Sequence, residues 1–413
     1  TDVTQTATLT GGVSYNNNQW NNLKNFTNSF NFNPPQVSGN LNFKGFAGSE
    51  LSLLLYGVAG PYAEAVIYKC GNVFSNKEIS GEKCEPFRYV SFIDAPGHEM
   101  LMATMLSGAA IIDAAILVIA ANEGIKPQTR EHFMALQAKK IKNIIVIQNK
   151  IDLVSKEEAL KNYNEIKKFL KGTFAENATV IPVSAQQEIN LDKIFMALAG
   201  IEIPERDTKS YPFFLVARSF DINRPGTKIQ GLKGGVLGGI LKRGILKVGD
   251  QIEIKPGISM KKHGSFIYKT LNTKILSLYK GNQAVEEIVP GASISIETSL
   301  DPFLTKTDSL TGCVVSLKGR LPEIQYKIKL EIKLFNEVFG LRDSKTVEPL
   351  KTKELMMLSI NTTITVGVIE KISKNETELS LNIPIVAMKG DNAGIARNIE
   401  GHWRLIGWGE IIQ

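Results

Sequence analysis

Arg88-Tyr-Val-Ser-Phe-Ile-Asp-Ala-Pro-Gly-His-Glu99 contains an apolar run of β-type residues. The run ends at the acidic residue Asp94 and is followed by a Pro-Gly turn. Two shorter pieces follow along the chain, Asn149-Lys-Ile-Asp152 and Val183-Ser-Ala-Gln186, and each also ends a run of β-type apolar residues. In parallel sheets, ligands bind outside the carboxyl ends of the strands. The three pieces, in this order, therefore predict a guanine-nucleotide site at one edge of a sheet.

Around these pieces, strand-like and helix-like patterns alternate. Ala114–Ala121 reads as a buried strand, Gln128–Lys139 as a helix, and Asn143–Gln148 as the next strand. Such alternation predicts right-handed βαβ crossovers and a mostly parallel sheet. We expect this domain to span residues 62–207.

The helical periods stop after Asp207. Short β segments separated by Gly-rich turns continue to the end of the chain, and strands at this spacing are typical of closed barrels. The predicted fold class is therefore α/β: a P-loop-GTPase-like domain with a mostly parallel sheet, followed by two β-barrel domains. We expect the barrels to occupy residues 208–320 and 321–413.

Residues 1–61 have a different composition from the rest of the chain. They contain eleven asparagines and only four charged residues, Asp2, Lys24, Lys44 and Glu50. They contain no match to G-x-x-x-x-G-K-[ST], the loop that would hold the phosphates. By composition the segment reads as loosely ordered polar sequence in place of the expected phosphate-loop region.

The first piece supplies groups suited to the phosphate side of the site. Asp94 ends a strand where its carboxylate can reach Mg²⁺ through water, so we predict it as the metal residue. Ala95 and Pro96 lead to Gly97, whose backbone N–H can approach a γ-phosphate because no Cβ intervenes. His98 could position the attacking water and is the predicted catalytic residue. The alternative is a strand followed by a Pro-Gly turn and a helix cap.

The second piece supplies groups suited to a guanine base. The carboxylate of Asp152 can accept hydrogen bonds from N1–H and the exocyclic amine, which adenine cannot offer. Asn149 can contact N7 and tether the neighbouring loop, Lys150 can lie over the purine face, and Ile151 lies between them. In a chain rich in Asn, Lys and Asp, this tetrapeptide alone would be unremarkable.

The third piece completes the predicted base pocket with backbone groups. Ser184 and Ala185 follow a strand, and their N–H groups can meet guanine O6; Gln186 belongs to the same loop. The position of this loop next to the Asn149–Asp152 loop makes a chance match of both pieces improbable. We therefore expect Asp152 and Ser184 to face one ligand.

Composition limits the compartment, metal sites and partners that can be expected for this chain. Three cysteines cannot form a disulfide framework and point to a reducing compartment. Cys70 and Cys84 could be half of a zinc knuckle, but four ligands are normally required, so a plain polar loop is favoured and zinc is not expected. No apolar run reaches membrane-spanning length and no secretory signal is visible. A net charge of +7 favours polyanionic partners such as nucleic acid.

From Tyr62 onward, the chain resembles the gamma subunit of archaeal and eukaryotic translation initiation factor two, a family similar to elongation factor Tu. Segments outside the nucleotide motifs distinguish this family from the elongation factors. The matching segments are Asp94-Ala-Pro-Gly-His-Glu-Met-Leu-Met-Ala-Thr-Met-Leu-Ser-Gly-Ala109, Lys126-Pro-Gln-Thr-Arg-Glu-His132, Gln148-Asn-Lys-Ile-Asp-Leu-Val154, Arg218-Ser-Phe-Asp-Ile-Asn-Arg-Pro-Gly226, Leu232-Lys-Gly-Gly235, Asp301-Pro-Phe-Leu-Thr305 and His402-Trp-Arg-Leu-Ile-Gly-Trp-Gly409.

This resemblance implies a cytoplasmic GTPase of protein biosynthesis that binds GTP and GDP with Mg²⁺. It implies a heterotrimer with alpha and beta subunits, which delivers initiator methionyl-tRNA to the small ribosomal subunit. The family's phosphate loop and first switch threonine are not recognisable in residues 1–61. We interpret that segment as a corrupted translation or a lineage-specific replacement. Two alternatives stay open: a nucleotide-free scaffold that keeps subunit and tRNA contacts, and an elongation factor for a specialised tRNA.

Overall fold

The computed structural model of the chain describes residues 62–93, 106, 110–224, 226–262, 265–281, 283–338, 345–374 and 376–412. Their Cα positions divide into two compact units. The described part of the first unit comprises residues 62–93, 113–129 and 141–203, and that of the second comprises residues 106, 110–112, 130–140 and the described residues from 204 to 412. None of the helices in these ranges is both long enough and apolar enough to cross a bilayer.

The first part of the chain alternates strands and helices, as predicted. Its strands are β1 (Tyr62–Cys70), β2 (Val73–Ser75), β3 (Cys84–Ile93), β4 (Ala114–Ala120), β5 (Asn143–Asn149) and β6 (Thr179–Pro182). Its helices are α1 (Pro127–Ala138), α2 (Lys156–Leu170) and α3 (Leu191–Ala199). β4, β5 and β6 form the predicted parallel sheet in that order, whereas β2, β1 and β3 form an antiparallel sheet.

Among the described strands of the parallel sheet, β5 lies between β4 and β6, and its apolar residues 144–147 are all buried. Six of its seven residues are buried, whereas β4 alternates between half-buried and buried positions. Ile145 and Ile147 of β5 pack in a core cluster with Ile194 and Leu198 of α3. Burial of side chains of this size stabilises the fold by about 1.5–3 kcal/mol each.

The segment 70–86 is not the unstructured polar insertion that its composition predicts. It holds β2 and the start of β3, and Cys70 lies directly opposite Cys84 in the β1–β3 register. The two sulfur atoms form a disulfide bond. The plain polar loop favoured for Cys70 and Cys84 is therefore wrong, because strand pairing brings together two cysteines fourteen positions apart.

Helix α2 begins with a capping box. The Ser155 side chain accepts a hydrogen bond from the backbone N–H of Glu158, whose carboxylate accepts one from the Ser155 N–H. These bonds satisfy two donors that a helix start leaves open, and they lower the pKa of the Glu158 carboxyl. Ile166 and Leu170 form part of the buried face of this amphipathic helix.

The first barrel is built from antiparallel strands, as predicted. Its segment contains β7 (Phe213–Phe220), β8 (Val236–Arg243), β9 (Leu246–Lys247), β10 (Gln251–Lys262), β11 (Ser265–Lys280), β12 (Gln283–Val285), β13 (Glu287–Ile288), β14 (Ser293–Thr298) and β15 (Val314–Leu317). The strands follow the order β10-β15-β7-β8-β14-β11, and pairing between β10 and β11 closes the ring. β10 and β11 pair with each other along most of their length and form a long hairpin.

The second barrel also confirms the prediction. Its segment contains β16 (Gln325–Leu334), β17 (Glu337–Val338), β18 (Lys345–Thr346), β19 (Leu355–Ile360), β20 (Thr363–Ile372), β21 (Thr377–Ile385), β22 (Asn392–Ile399) and β23 (His402–Ile411). The closed order is β16-β21-β20-β19-β22-β23. Its interior is aliphatic, with Leu330, Leu358 and Ile395 fully buried.

Residues 130–140 pack against the second barrel within the second unit. Ala135 and Ala138 contact Leu405, and a buried ion pair joins Glu131 to Arg404 with 3.1 Å between the carboxylate oxygen and the guanidinium nitrogen. The side chains of this pair are 1% and 6% exposed. A pair this buried is sensitive to the loss of either partner.

Next to this contact, polar side chains join the same segment to the second barrel and join the second barrel to the first. Lys139 Nζ donates to the Ser359 carbonyl at 3.0 Å, while Lys242 donates to Asp391 at 2.8 Å and Asn361 donates to Asp391 at 3.0 Å. Burial, assisted by the nearby charge of Lys242 and opposed by Asp391, lowers the pKa of Lys139 to about 7. Burial alone would raise the pKa of Asp391, but Lys242 and its hydrogen-bond donors bring it below the ordinary value.

Candidate functional site

The carboxyl ends of the three parallel strands lie side by side. Ala120 at the end of β4 is opposite Asn149 at the end of β5, and Gln148 is opposite Pro182 of β6. The Asn149 carbonyl accepts the N–H of Ala121 at 2.8 Å, which extends the ladder one residue past β4. The predicted base-binding pieces therefore emerge at one edge of the sheet.

The loop after β5 changes direction sharply. Asn149 is completely buried, and Lys150 adopts a left-handed backbone conformation with φ of 63°. A short 3₁₀ helix, Ile151–Leu153, follows at once. The turn places Asp152 on the surface, where its carboxylate has no hydrogen-bond or ion-pair partner among the described residues.

Three hydrogen bonds join this loop to the segment after β6. The Gln148 carbonyl accepts the N–H of Val183 at 2.8 Å, and the N–H of Ile151 donates to the Val183 carbonyl at 3.3 Å. The side-chain oxygen of Asn149 accepts the backbone N–H of Ala185 at 3.1 Å. The two loops therefore form one hydrogen-bonded edge, and the structure brings together the residues that the sequence placed there.

The segment after β6 corrects one detail of the predicted pocket. The N–H of Ser184 donates to the Ile189 carbonyl at 3.3 Å, and that of Ala185 is used by Asn149. Neither N–H is therefore available for a base oxygen, contrary to our expectation. The N–H of Gln186 has no acceptor within the described residues, so it is the backbone donor that remains at this position.

The phosphate side of the predicted site cannot be placed in the same way. The predicted metal residue Asp94, the predicted binding residues Ala95, Pro96 and Gly97, and the predicted catalytic residue His98 lie outside the described residues. In the described ranges, no three His, Cys, Asp or Glu side chains are grouped as metal ligands. The described residues therefore include only the second and third of the three predicted pieces in full.

Sequence reasoning overlooked two buried amides behind the loops. Gln148 of β5 is 1% exposed and Asn162 of α2 is 4% exposed. Gln148 donates from Nε2 to the Asn162 side-chain oxygen and to the Ala159 carbonyl, each at 2.8 Å. A signal was present in the sequence, because Gln148 ends the otherwise apolar run of Ile144–Ile147.

The chemistry of this edge matches one kind of ligand. It presents an unpaired carboxylate at Asp152, a buried amide at Asn149 and a backbone donor at Gln186. Guanine carries two neighbouring donors at N1 and the exocyclic amine, and acceptors at N7 and O6. The polar groups present therefore fit guanine, whereas adenine cannot offer the carboxylate two neighbouring donors.

Sequence comparisons point to one family. Residues 74–204 match the family described as the elongation factor Tu GTP binding domain, and residues 326–411 match initiation factor eIF2 gamma, C terminal. Translation initiation factor 2 subunit gamma of Pyrococcus furiosus is 49% identical over 357 residues, which cover 85% of this chain and 87% of the relative. The same subunit of Methanocaldococcus jannaschii is 49% identical over 345 residues, covering 83% of this chain and 82% of the relative.

Comparison with solved structures supports the fold. Translation elongation factor SelB from Methanococcus maripaludis, in complex with the GTP analogue GppNHp, superimposes with a TM-score of 0.66. The match covers 89% of this chain and 76% of the SelB chain, and the two sequences are 23% identical. At this identity the likeness concerns the fold alone, and not the cargo.

Proposed function

Because this chain belongs to the family of translation initiation factor 2 gamma subunits, which are translational GTPases, we propose that it binds guanine nucleotides and carries initiator methionyl-tRNA. In this proposal the carrier works in a heterotrimer with alpha and beta subunits and delivers the tRNA to the small ribosomal subunit. The GTP-bound form holds the tRNA, and hydrolysis to GDP and phosphate releases it. Such a role belongs in the cytoplasm.

The observation that supports nucleotide binding most strongly is the hydrogen-bonded pair of loops after β5 and β6. The Asp152 carboxylate accepts from N1–H and the exocyclic amine of guanine, and the Lys150 side chain covers the purine face. The Asn149 side-chain oxygen is used by Ala185, so its nitrogen is the group that donates to N7. The Gln186 N–H donates to O6.

The phosphate side of the proposal rests on the sequence pattern alone. Asp94 would hold Mg²⁺ through water, which neutralises phosphate charge when bound. Gly97 would contact the γ-phosphate through its N–H, and His98 would position the water that attacks it. All three residues lie outside the described ranges, so these roles remain predictions from the motif.

A second candidate function follows from the composition of residues 1–61. Without the G-x-x-x-x-G-K-[ST] loop, the chain lacks the lysine and backbone cradle for the β-phosphate. We expect the affinity of this chain for GTP to be orders of magnitude lower than that of a chain with the loop. The alternative is then a scaffold that keeps subunit and tRNA contacts without a nucleotide switch.

Substituting Asp152 tests the base pocket. Asp152→Asn replaces an acceptor-only carboxylate with an amide that matches xanthine better than guanine. Calorimetry should show that wild type prefers GDP to XDP and that the variant reverses this preference. Equal affinities of both proteins for both nucleotides would reject the assignment of Asp152 to the base.

Filter binding separates the two candidate functions. A GTP-switched carrier retains initiator tRNA in preference to elongator tRNA, and retains it better with GTP than with GDP. A nucleotide-free scaffold retains initiator tRNA equally with either nucleotide. An elongation factor for a specialised tRNA would show no preference for the initiator.

A further inference from the structure

Two buried amide side chains meet behind the base-binding edge, where apolar residues would be expected. Gln148 is the residue before the last of strand β5, and Asn162 lies on the buried face of α2 one turn before Ile166. Both side chains are at least 96% buried. Burying an amide in a core costs free energy unless the amide is hydrogen-bonded. The hydrogen bonds of these two side chains therefore indicate their structural role.

The amide of Gln148 is fixed by helix α2. Its Nε2 atom donates one hydrogen bond to the Asn162 side-chain oxygen and the other to the Ala159 carbonyl, and both measure 2.8 Å. Both donors of the amide are thus used by one helix. The helix start is itself held by the capping box of Ser155 and Glu158, so the acceptors stand on an ordered element.

The main chain of Gln148 is fixed by β6 as well. Its carbonyl accepts the N–H of Val183 at 2.8 Å. The same residue is therefore tied to α2 by its side chain and to β6 by its backbone. The next residue along the chain is Asn149, which begins the loop of the proposed guanine pocket.

That loop starts with an unfavourable backbone conformation. Lys150 has φ of 63°, a left-handed conformation that costs free energy for residues other than glycine. Such a conformation persists only where the surrounding structure fixes it. On the N-terminal side of Lys150, Gln148 is the nearest residue whose side chain is anchored by a separate helix.

We propose that Gln148, held by Asn162 and the Ala159 carbonyl, is a positioning residue for the guanine-recognition loop Asn149–Asp152. The inference rests on the proposed guanine-binding function. Gln148 does not touch the base; it fixes the strand end from which Asn149 reaches Ala185 and Lys150 makes its turn. Loss of the amide therefore loosens two loops, not only the helix it contacts.

Hydrogen–deuterium exchange of the full chain tests this without any ligand. Gln148→Met keeps the length of the side chain and removes both hydrogen bonds. We expect the N–H groups of Ile151 and Ala185 to exchange at least about tenfold faster, the change that corresponds to losing roughly one hydrogen bond. Exchange near Leu170, at the far end of α2, should remain as in wild type.

A matched control distinguishes positioning from packing. Ile166→Val removes a methyl group from the same buried helix face, one turn from Asn162, without altering a hydrogen bond. It should leave exchange in both loops unchanged. Faster exchange confined to α2 in Gln148→Met, or the same loop pattern in Ile166→Val, would overturn the proposal.

Nucleotide discrimination gives the second measurement. Inosine lacks the exocyclic amine that Asp152 is proposed to accept from, so wild type should bind GDP more tightly than IDP. Gln148→Met should reduce this ratio at least about threefold, while Ile166→Val leaves it unchanged. If wild type binds neither nucleotide, the proposed function fails, and the exchange experiment still decides the positioning role. An unchanged ratio in Gln148→Met would contradict it.

Discussion

The side-chain oxygen of Asn149 lies 3.1 Å from the backbone nitrogen of Ala185, and both residues are buried. This bond gives Asn149 a structural role in addition to its proposed contact with the base. Asn149→Ala should lower the free energy of unfolding by about 1–3 kcal/mol, because the Ala185 N–H is left buried without its acceptor. Urea unfolding followed by circular dichroism measures this loss.

Asp152 provides the contrasting case within the same tetrapeptide. Its carboxylate is exposed and has no partner in the described part of the chain. Asp152→Ala should therefore change the free energy of unfolding by no more than about 0.5 kcal/mol, while it abolishes any preference for GDP over ADP. A large loss of stability in Asp152→Ala would show that the carboxylate has a structural partner.

The buried pair of Glu131 and Arg404 should be costly to break from one side. Glu131→Leu or Arg404→Met alone should destabilise the second unit by about 3–5 kcal/mol, because the remaining charge stays buried without its ion-pair partner. The double variant Glu131→Leu with Arg404→Met should recover most of that loss. Thermal unfolding of the four proteins gives the coupling, and additive effects would contradict the interpretation.

Lys139 makes stability depend on pH in a defined direction. Its pKa is lowered from 10.5 to about 7 in the folded protein, so between those values the unfolded chain binds a proton that the folded chain does not. Stability relative to Lys139→Met should therefore rise with pH above about 7, by at most ~1.4 kcal/mol per pH unit. Below pH 7 the difference should level off.

Urea unfolding of both proteins between pH 6 and 9 checks the Lys139 prediction. Comparing wild type with Lys139→Met cancels the titration of shared groups, including Asp391. The variant also removes the hydrogen bond to the Ser359 carbonyl, which shifts the whole curve without altering its slope. Parallel curves across this range would refute the prediction.

The thiol of Cys313 should resist alkylation in the native protein. Burial raises its pKa to about 12, and the thiolate is the reactive form. Iodoacetamide at pH 8 should leave Cys313 unmodified over an hour, whereas the same treatment in urea should modify it. Intact-mass spectrometry follows the reaction, and rapid labelling before unfolding would contradict the burial.

Much of the architecture could be predicted because it depends on local patterns. The apolar residues of β5 and the alternation in β4 carry the period of strands, and Ser155 with Glu158 carries a helix-start signature. Glycine-rich turns at short intervals were sufficient to predict two barrels. The strand-end positions of Asn149 and Ser184 then placed the base-binding loops on one edge.

What escaped prediction depends on pairs of residues far apart in sequence. The Cys70–Cys84 bond follows from the register of β1 and β3, which neither cysteine reveals by itself. The use of the Ala185 N–H by Asn149 spans 36 residues. For the same reason the pairing of Asn162 with Gln148, fourteen residues apart, could not be predicted from either residue alone.

The guanidinium group of Arg88 donates to the carbonyls of Leu198 and Ile201, at 2.7 and 2.6 Å, across 110 and 113 residues of sequence. Those carbonyls lie at the end of α3, near the end of the first unit. During synthesis, Arg88 can form these hydrogen bonds only after the ribosome has released the chain past Ile201. Non-local contacts of this kind slow folding. The unpaired strands of the nascent chain are therefore exposed to aggregation for longer than the helices of a helical bundle of equal length.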